Sequence, residues 1–415
     1  MKNILIINQP LNNRGDESAH RALVRELSKT KPHYKINVLF FNQPENSINE
    51  FKVDYPNVRY IGVQTPRPSR IMRKLNKYLM DKYILRGKLK PLFYIIPHLR
   101  SLLLHIKRAD IIVNAPGGIC MGGFQNWGHI KLLLLAKKLH KPIFYYGRSI
   151  GPFPIVSEEN KRFREYSIEL LNYFSFLSLR DKKSEAIARE LNIDFTSTVD
   201  TAFLETPVAE IPSEIEKSLD NTKYVVFVPN LLIWHYAYRG KVSKSEILDF
   251  YVKLANAILD NRPDHKIVFL PQTCHYGYPA DDIHLFREIV EKLERKQRAI
   301  IISDKYGSDI QQTIIRNARL MIGARYHSIV FALNNAVPFI ALSYEHKIEG
   351  LLMTLNKTSS MIDISTKMLT DTGRGEIINN CIDLMNSPTD RDKTARDKAK
   401  QIARNSFNKF ISSIE

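Results

Sequence analysis

The sequence predicts an α/β protein of two domains, each built on a largely parallel sheet, and three observations carry that prediction. The chain has 415 residues, which at roughly 150 per domain makes two domains of about 200 the natural division. Short apolar runs alternate with helix-length amphipathic segments through both halves, the order that right-handed βαβ crossovers generate. Between the halves, from Glu205 to Asn221, the periodicity lapses around Pro207 and Pro212 and then restarts, which marks an interdomain linker.

Each element follows from its local pattern. Ile4 to Ile7 is a strand, Asn8 to Asp16 a polar loop, and Glu17 to Leu27 a helix with Ala22, Leu23 and Leu27 on one face. Val38 to Phe41 and Ile111 to Val113 are strands, the latter entering the glycine-rich run Gly117-Gly118-Ile119-Cys120-Met121-Gly122-Gly123. A helix from Asn126 to Leu139 and a strand from Pro142 to Tyr146 come next, the strand stopping at Gly147-Arg148-Ser149-Ile150-Gly151. Helix Glu158 to Leu171, strand Phe174 to Ser178 and helix Ser184 to Leu191 complete the first domain, residues 1–205. In the second, residues 222–389, strands read at 224–228, 266–270, 299–302, 320–322 and 338–341. Helices read near 245–259, 282–293, 310–317 and 328–334. A charged helix from 390 onward offers Ala395, Ala399, Ile402, Phe407 and Phe410 as a packing face, suited to folding back on the first domain.

Composition excludes several classes. With 44% hydrophobic and 25% charged residues the chain is an ordinary globular one, neither collagen-like nor largely disordered. No apolar window is long enough to span a bilayer, and the short Ile4 to Ile7 run lacks the form of a signal-peptide core, so export is not expected. Cys120, Cys274 and Cys381 are far apart with no C-x-x-C, so neither a disulfide framework nor a zinc knuckle is written here, and the cytoplasm is the expected compartment. Lys and Arg outnumber Asp and Glu by 61 to 43, a net charge of +18, so anionic partners are expected. Between Arg67 and Arg108 stand twelve Lys or Arg and one acid, Asp81. This segment interleaves them with Ile71, Met72, Leu75, Tyr78, Leu79, Tyr83, Ile84, Leu85, Leu92, Phe93 and Tyr94, a pattern suited to an anionic membrane surface, with a solvated face as the plain alternative. No nucleic-acid-binding module is present, so nucleic acid is not an expected partner.

The most informative run is Met321-Ile322-Gly323-Ala324-Arg325-Tyr326-His327-Ser328, where a buried strand turns at glycine into a helix. Exposed N–H groups and the positive helix end suit a phosphate or carboxylate, Arg325 can grip it bidentately and His327 can exchange a proton near neutral pH. The alternative is an ion-paired Arg325 and a His327 that merely caps. Downstream, Glu345 and Lys347 end the next strand, either bearing on the reaction or forming a solvated rim. Asp16 is either a group that contacts a hydroxyl or a helix cap. The aromatic run around Trp234 suits either sugar stacking or packing, and His275 follows another strand end, where a lone histidine is more often structural.

Taken together, these motifs resemble the polysaccharide pyruvyl transferase family over nearly the whole chain. The resemblance rests on Asn12-Asn13-Arg14-Gly15-Asp16, Gly117-Gly118, Tyr146-Gly147-Arg148-Ser149-Ile150-Gly151-Pro152, Leu179-Arg180-Asp181 with Ser184, Asp200-Thr201-Ala202-Phe203, Leu270-Pro271-Gln272, Gly323 to His327, and Pro338 to Lys347. Pro116, Arg148 and Tyr326 depart from the family's usual glycine, amide and leucine.

The resemblance implies two Rossmann-like domains facing a cleft, similar to GT-B glycosyltransferases, with no metal or cofactor beyond phosphoenolpyruvate as donor substrate. It implies transfer of the enolpyruvyl group to two hydroxyls of a sugar in a cell-surface polysaccharide precursor, giving a cyclic ketal and phosphate. His327 and Asp16 are then the catalytic candidates. Arg325, Arg180, Tyr326, Lys347 and Glu345 are the donor-binding ones, with an ion pair to Asp181 as the alternative for Arg180. Asn13, Gly117, Gly118, Arg148, Trp234 and His275 are the acceptor-side candidates. The acceptor implied is polyprenyl-diphosphate-linked, and the expected location is the inner face of the cell membrane. The rival readings are a glycosyltransferase using a nucleotide sugar and a non-catalytic scaffold of a polysaccharide assembly complex.

Overall fold

The protein is described by a computed structural model covering all residues except 44–47, 50, 65–69, 89, 124, 236, 275–280 and 388–390. Its contacts divide it into two compact units. The first comprises residues 1–11, 19–204 and 402–415, the second residues 12–18 and 205–401.

In the first unit the strands are β1 (Asn3–Ile7), β2 (Lys35–Phe41), β3 (Val58–Val63), β4 (Ile111–Asn114), β5 (Gly117–Met121), β6 (Ile143–Ile150), β7 (Phe176–Leu179) and β8 (Thr196–Ser197). They form one sheet in the order β3-β2-β1-β4-β6-β7-β8, with β5 beside β6. Every ladder is parallel; Ile4, for example, lies between Ile36 and Ile111. The chain steps outward from β1 to β3 and then returns to the other side of β1, so the order reverses between β1 and β4. In open α/β sheets ligands bind outside the strand carboxyl ends at such a reversal. The helices are α1 (Arg14–Thr30), α2 (Arg70–Met80), α3 (Lys90–Ile95), α4 (Pro97–Arg108), α5 (Trp127–Lys138), α6 (Glu158–Tyr173) and α7 (Lys182–Glu190), with a π-helical turn at Asp81–Leu85. Asn126 caps α5 by accepting from the His129 N–H at 3.0 Å, and the run Ile130 to Ala136 is buried.

The second unit repeats the plan. Its strands β9 (Tyr224–Val228), β10 (Lys266–Phe269), β11 (Ala299–Ile301), β12 (Leu320–Gly323), β13 (Phe339–Ser343) and β14 (Met361–Asp363) run in the order β11-β10-β9-β12-β13-β14, all parallel. Both units therefore have Rossmann-like strand order. β9, Tyr-Val-Val-Phe-Val, is buried throughout, the near-continuous apolar run expected of a parallel strand covered on both faces. The helices are α8 (Ser213–Leu219), which lies inside the segment read as linker, α9 (Lys244–Asn261), α10 (Asp281–Glu291), α11 (Ser308–Asn317), α12 (Tyr326–Asn334), α13 (His346–Leu355), α14 (Asp371–Asn386) and α15 (Lys393–Ser413). From Ile402 onward α15 belongs to the first unit. There Phe410 stacks on Tyr146, ring centroids 4.8 Å apart, and meets Phe144 edge-on at 5.8 Å.

The basic segment behaves differently from its sequence reading. Leu79, Tyr83, Ile84 and Phe93 are buried in the first unit's core, with Leu85 and Tyr94 packed against it. Those residues serve the fold rather than an outer surface, because the π-helical turn packs on α5 and α4 packs on β1 and β3. Leu75, Tyr78 and Leu92 remain exposed, and Ile95 beside them is 71% exposed. Arg67, Pro68 and Ser69 lie outside the described residues. No helix of the described residues is long and apolar enough to cross a membrane.

Candidate active site

In the second unit the strand order reverses between β9 and β12, and the chain leaves β12 as Gly323-Ala324-Arg325 directly into α12. A Cβ on Gly323 would lie 2.4 Å from Ser328 Oγ, so glycine is what lets the helix close onto the strand end. Arg325 is the extended residue before α12; its carbonyl accepts from Ser328 N at 3.1 Å and Ser328 Oγ at 2.6 Å. Its side chain is 15% exposed and ion-pairs with buried Asp282 at the start of α10. Asp282 uses its other oxygen to accept from Gln272 N and Thr273 N, both at 2.9 Å. Arg325 Nε is buried with no hydrogen-bond partner, as is Asn230 Oδ1 just past β9. Buried polar atoms in native proteins usually have a partner, so each of these two asks for one.

Around Arg325 stand Tyr251, Tyr344 and Asn230. Asn230 Nδ2 donates to Tyr344 Oη at 3.1 Å, and Tyr251 Oη donates to the Asn230 carbonyl at 3.1 Å. Lys347 pairs with Glu345 at 2.8 Å and lies over the Tyr326 ring at 5.6 Å. Burial would raise the Glu345 pKa, but the Lys347 ammonium and the Tyr344 hydroxyl outweigh it and hold the carboxyl below the usual range. Trp234, 44% exposed, meets the Tyr344 edge at 6.4 Å. His275 lies outside the described residues.

The opening loop is counted with this unit, not with the first domain where the sequence reading puts Asn13 and Asp16. The reason is its hydrogen bonding. Asn13 bridges Thr273, Arg14 N donates to Gln272 O at 2.8 Å, and Cys274 N donates to Asn12 O at 3.1 Å. Arg14 pairs with Glu17 at 2.8 Å and donates to Asp304 O at 2.6 Å; Glu17 in turn accepts from Ser308 N and Oγ, each at 3.2 Å. Asn13 is the residue that caps α1, its Oδ1 accepting from Gly15 N at 2.8 Å. Asp16 stands in the first turn, where a carboxylate complements the helix dipole. The loop lies directly on His327, since a Cβ on Gly15 would fall 1.8 Å from the imidazole Cγ. His327 is thereby sandwiched between the α1 start and its own helix, 7% exposed.

Arg180 is the clearest correction. It is fully buried in the first unit and ion-paired with Asp200, not Asp181, and its Nε donates to Ser149 Oγ at 3.1 Å. Asp181 instead caps α7 through Ser184 N at 2.8 Å and accepts from Ser149 Oγ at 2.6 Å. The Arg180 and Ser149 motifs thus build an internal polar network, and Arg180 offers no surface to a donor. Arg148, likewise fully buried, holds loop carbonyls and contacts no surface directly. Gly117 has φ 149°, open to glycine alone, while a Cβ at Gly118 would meet nothing within 4 Å. Asp282, Asn230 and Gln272 anchor the Arg325 environment; the acid at the start of α10 was the only signal for Asp282, and it is shared by many ordinary caps.

Two Rossmann-like units, with a cationic strand-to-helix turn at the second unit's strand reversal, define a GT-B-like fold. The model of the family described as "Polysaccharide pyruvyl transferase" matches residues 13–346, and the chain belongs to that family. It is an enzyme that transfers pyruvyl groups in polysaccharide biosynthesis. It is 22% identical over 385 residues to the amylovoran biosynthesis protein AmsJ of Erwinia amylovora, a match covering 89% of each chain. Its fold is similar to the UDP-GlcNAc 2-epimerase of Methanocaldococcus jannaschii in complex with UDP-GlcNAc and UDP, at TM-score 0.55 and 13% identity, covering 98% of this chain and 100% of that one. A UGT transferase from Siraitia grosvenorii in complex with UDP is similar at TM-score 0.58 and 12% identity, each chain covered in full.

Proposed function

We propose that the enzyme takes phosphoenolpyruvate as donor and builds a cyclic pyruvate ketal on two hydroxyls of a sugar in a cell-surface polysaccharide precursor. The observation that carries this reading is the Arg325 turn with His327 beside it at the strand reversal of the second unit. Arg325, held at one nitrogen by Asp282, keeps buried N–H for the donor's phosphate or carboxylate. His327 protonates the methylene carbon, making C3 a methyl group and C2 an oxocarbenium-like centre. The first sugar hydroxyl adds to C2 and gives up its proton, to Asp16 in this scheme. The C2–O bond to phosphate then breaks, the second hydroxyl adds, and its proton leaves with inorganic phosphate.

A thermal-shift titration tests the donor without any acceptor, because a ligand that binds the native state alone stabilises it by about 2.7 kcal/mol at a hundredfold excess over Kd. Phosphoenolpyruvate is expected to raise the melting temperature, and Arg325→Ala to abolish the rise. A rise with a UDP-, GDP- or CMP-sugar and none with phosphoenolpyruvate would replace this reading with nucleotide-sugar transfer. In a complete assay His327→Ala is expected to lose about 10²–10⁴-fold in rate while keeping donor binding within several-fold. Equal losses in both would remove the acid role.

A peripheral position at the inner membrane face, serving a polyprenyl-diphosphate-linked acceptor, belongs to the same proposal. Its support is the exposed quartet Leu75, Tyr78, Leu92 and Ile95 among Lys74, Lys77, Lys82, Arg86 and Lys88.

A further inference from the structure

The first unit has its own strand reversal, between β1 and β4, and a cavity of about 280 Å³ opens there. Asn8, Gln9, Phe41, Cys120, Asn126 and His129 are among the residues that line it, drawn from the carboxyl ends of β1 and β2, from β5 and from the α5 start. No acidic side chain is among them. Asn8 is held at φ 61° in the left-handed region, a conformation that asparagine takes more readily than most residues with a side chain.

Behind this wall lies Arg148, fully buried. Its Nε donates to Ala115 O at 2.6 Å, Nη1 to Gly118 O and Cys120 Sγ at 3.1 Å each, and Nη2 to Asn8 O at 3.1 Å. All four acceptors are uncharged groups or a thiol, and no carboxylate of the described residues pairs with it. Arg180 nearby does have its acid, Asp200. A buried cation without a counter-ion is costly, and two of the groups that hold this one, Asn8 and Cys120, are themselves cavity wall. The α5 N-terminus, capped by Asn126 on the same wall, adds a second positive potential.

We propose that this cavity is a subsite for an anionic sugar, one bearing either a ring carboxylate or an anomeric phosphate. Arg148 sets that preference as a positioning residue, through its field and through the Asn8 and Cys120 wall. The inference rests on the reading above only in taking a sugar as the acceptor, and its test needs no pyruvyl transfer.

Cys120 supplies the readout, since it is half-buried at the cavity while Cys274 and Cys381 are buried. The rate of its alkylation by N-ethylmaleimide is measured with glucuronate, glucose 1-phosphate, inorganic phosphate or glucose added to the full-length protein. Glucuronate or glucose 1-phosphate is expected to slow labelling at roughly tenfold lower concentration than glucose does. Which of the two protects better identifies the anion. Arg148→Gln is expected to erase the advantage of the charged sugars. Asn126→Asp, which keeps a good cap and sets a carboxylate on the wall, is expected to erase it too, and serves where Arg148→Gln does not fold. Equal protection by glucose, protection by inorganic phosphate as strong as by glucose 1-phosphate, no protection at all, or an advantage that survives both variants would each overturn the proposal. Failure of the donor reading shows separately, as the absence of a phosphoenolpyruvate-induced thermal shift.

Discussion

At Gly15 a single hydrogen atom decides whether the opening loop can rest on His327. The Cβ of an alanine there would overlap the imidazole, 1.8 Å from Cγ and 2.1 Å from Nδ1. Gly15→Ala is therefore expected to cost about 1–3 kcal/mol through overpacking and to abolish transfer by displacing His327. Gly118→Ala, where the added carbon meets nothing within 4 Å, is expected to stay within about 0.5 kcal/mol. Urea midpoints of the two variants check this, and equal losses would mean that the loop does not rest on the ring. At this scale the sequence was informative about where Arg325 and His327 stand, because a strand, a glycine turn and a helix follow one another without interruption. It was uninformative about Arg180, since a motif arginine reads identically whether its partner is a ligand or an aspartate twenty residues later. Asp200 settles the matter only through the fold that brings it to β7.

Among the elements, α1 carries a pH dependence. His20 lies buried on it with Nε2 at 3.0 Å from Tyr60 Oη, and burial, followed by the Arg21 charge, lowers its pKa from 6.5 to about 3. The unfolded chain takes up this proton below pH 6.5 while the folded one does not. Stability is thus intact above pH 6.5 and falls with acidification toward pH 3, by up to about 1.4 kcal/mol per pH unit. Denaturant midpoints across that range are expected to show the slope, and His20→Gln to make it shallower. The closing helix α15 gives a second test. Phe410 is wholly buried against Tyr146, Phe144 and Phe176, so Phe410→Ala is expected to cost about 3–5 kcal/mol, read as a lowered urea midpoint. That face was legible, because Phe407 and Phe410 recur at helical spacing in an otherwise charged stretch. β3 and β14 were not legible. β3 is a half-exposed edge strand without a clean alternation, and β14 is only three residues long, too short for any period to declare itself.

For the molecule as a whole, charge is the property with the widest reach. Eleven of the eighteen net positive charges, twelve minus one, fall between Arg67 and Arg108. Each Lys or Arg near an anionic leaflet contributes about 1 kcal/mol and is screened by salt. The protein is expected to float with phosphatidylglycerol vesicles at low salt, to release at high salt and to ignore phosphatidylcholine. Ile95→Asp is expected to weaken flotation without lowering the urea midpoint, because that side chain is 71% exposed. Indifference to lipid charge would discard the membrane proposal. The sequence pattern exaggerated the available surface here, since periodicity cannot tell an apolar face that meets lipid from one that meets the protein's own sheet.

The assignment of residues 12–18 to the second unit and 402–415 to the first has a genetic consequence. Neither half of the reading frame encodes a self-sufficient module, because a cut at Leu204 strips the later half of the strip that covers His327 and the earlier half of its Phe407 and Phe410 plug. Recombination between relatives at that midpoint would join mismatched loops and histidines unless both terminal pieces crossed over together. Chimaeras built to exchange one unit between relatives therefore need three junctions of matched parentage beside the obvious one.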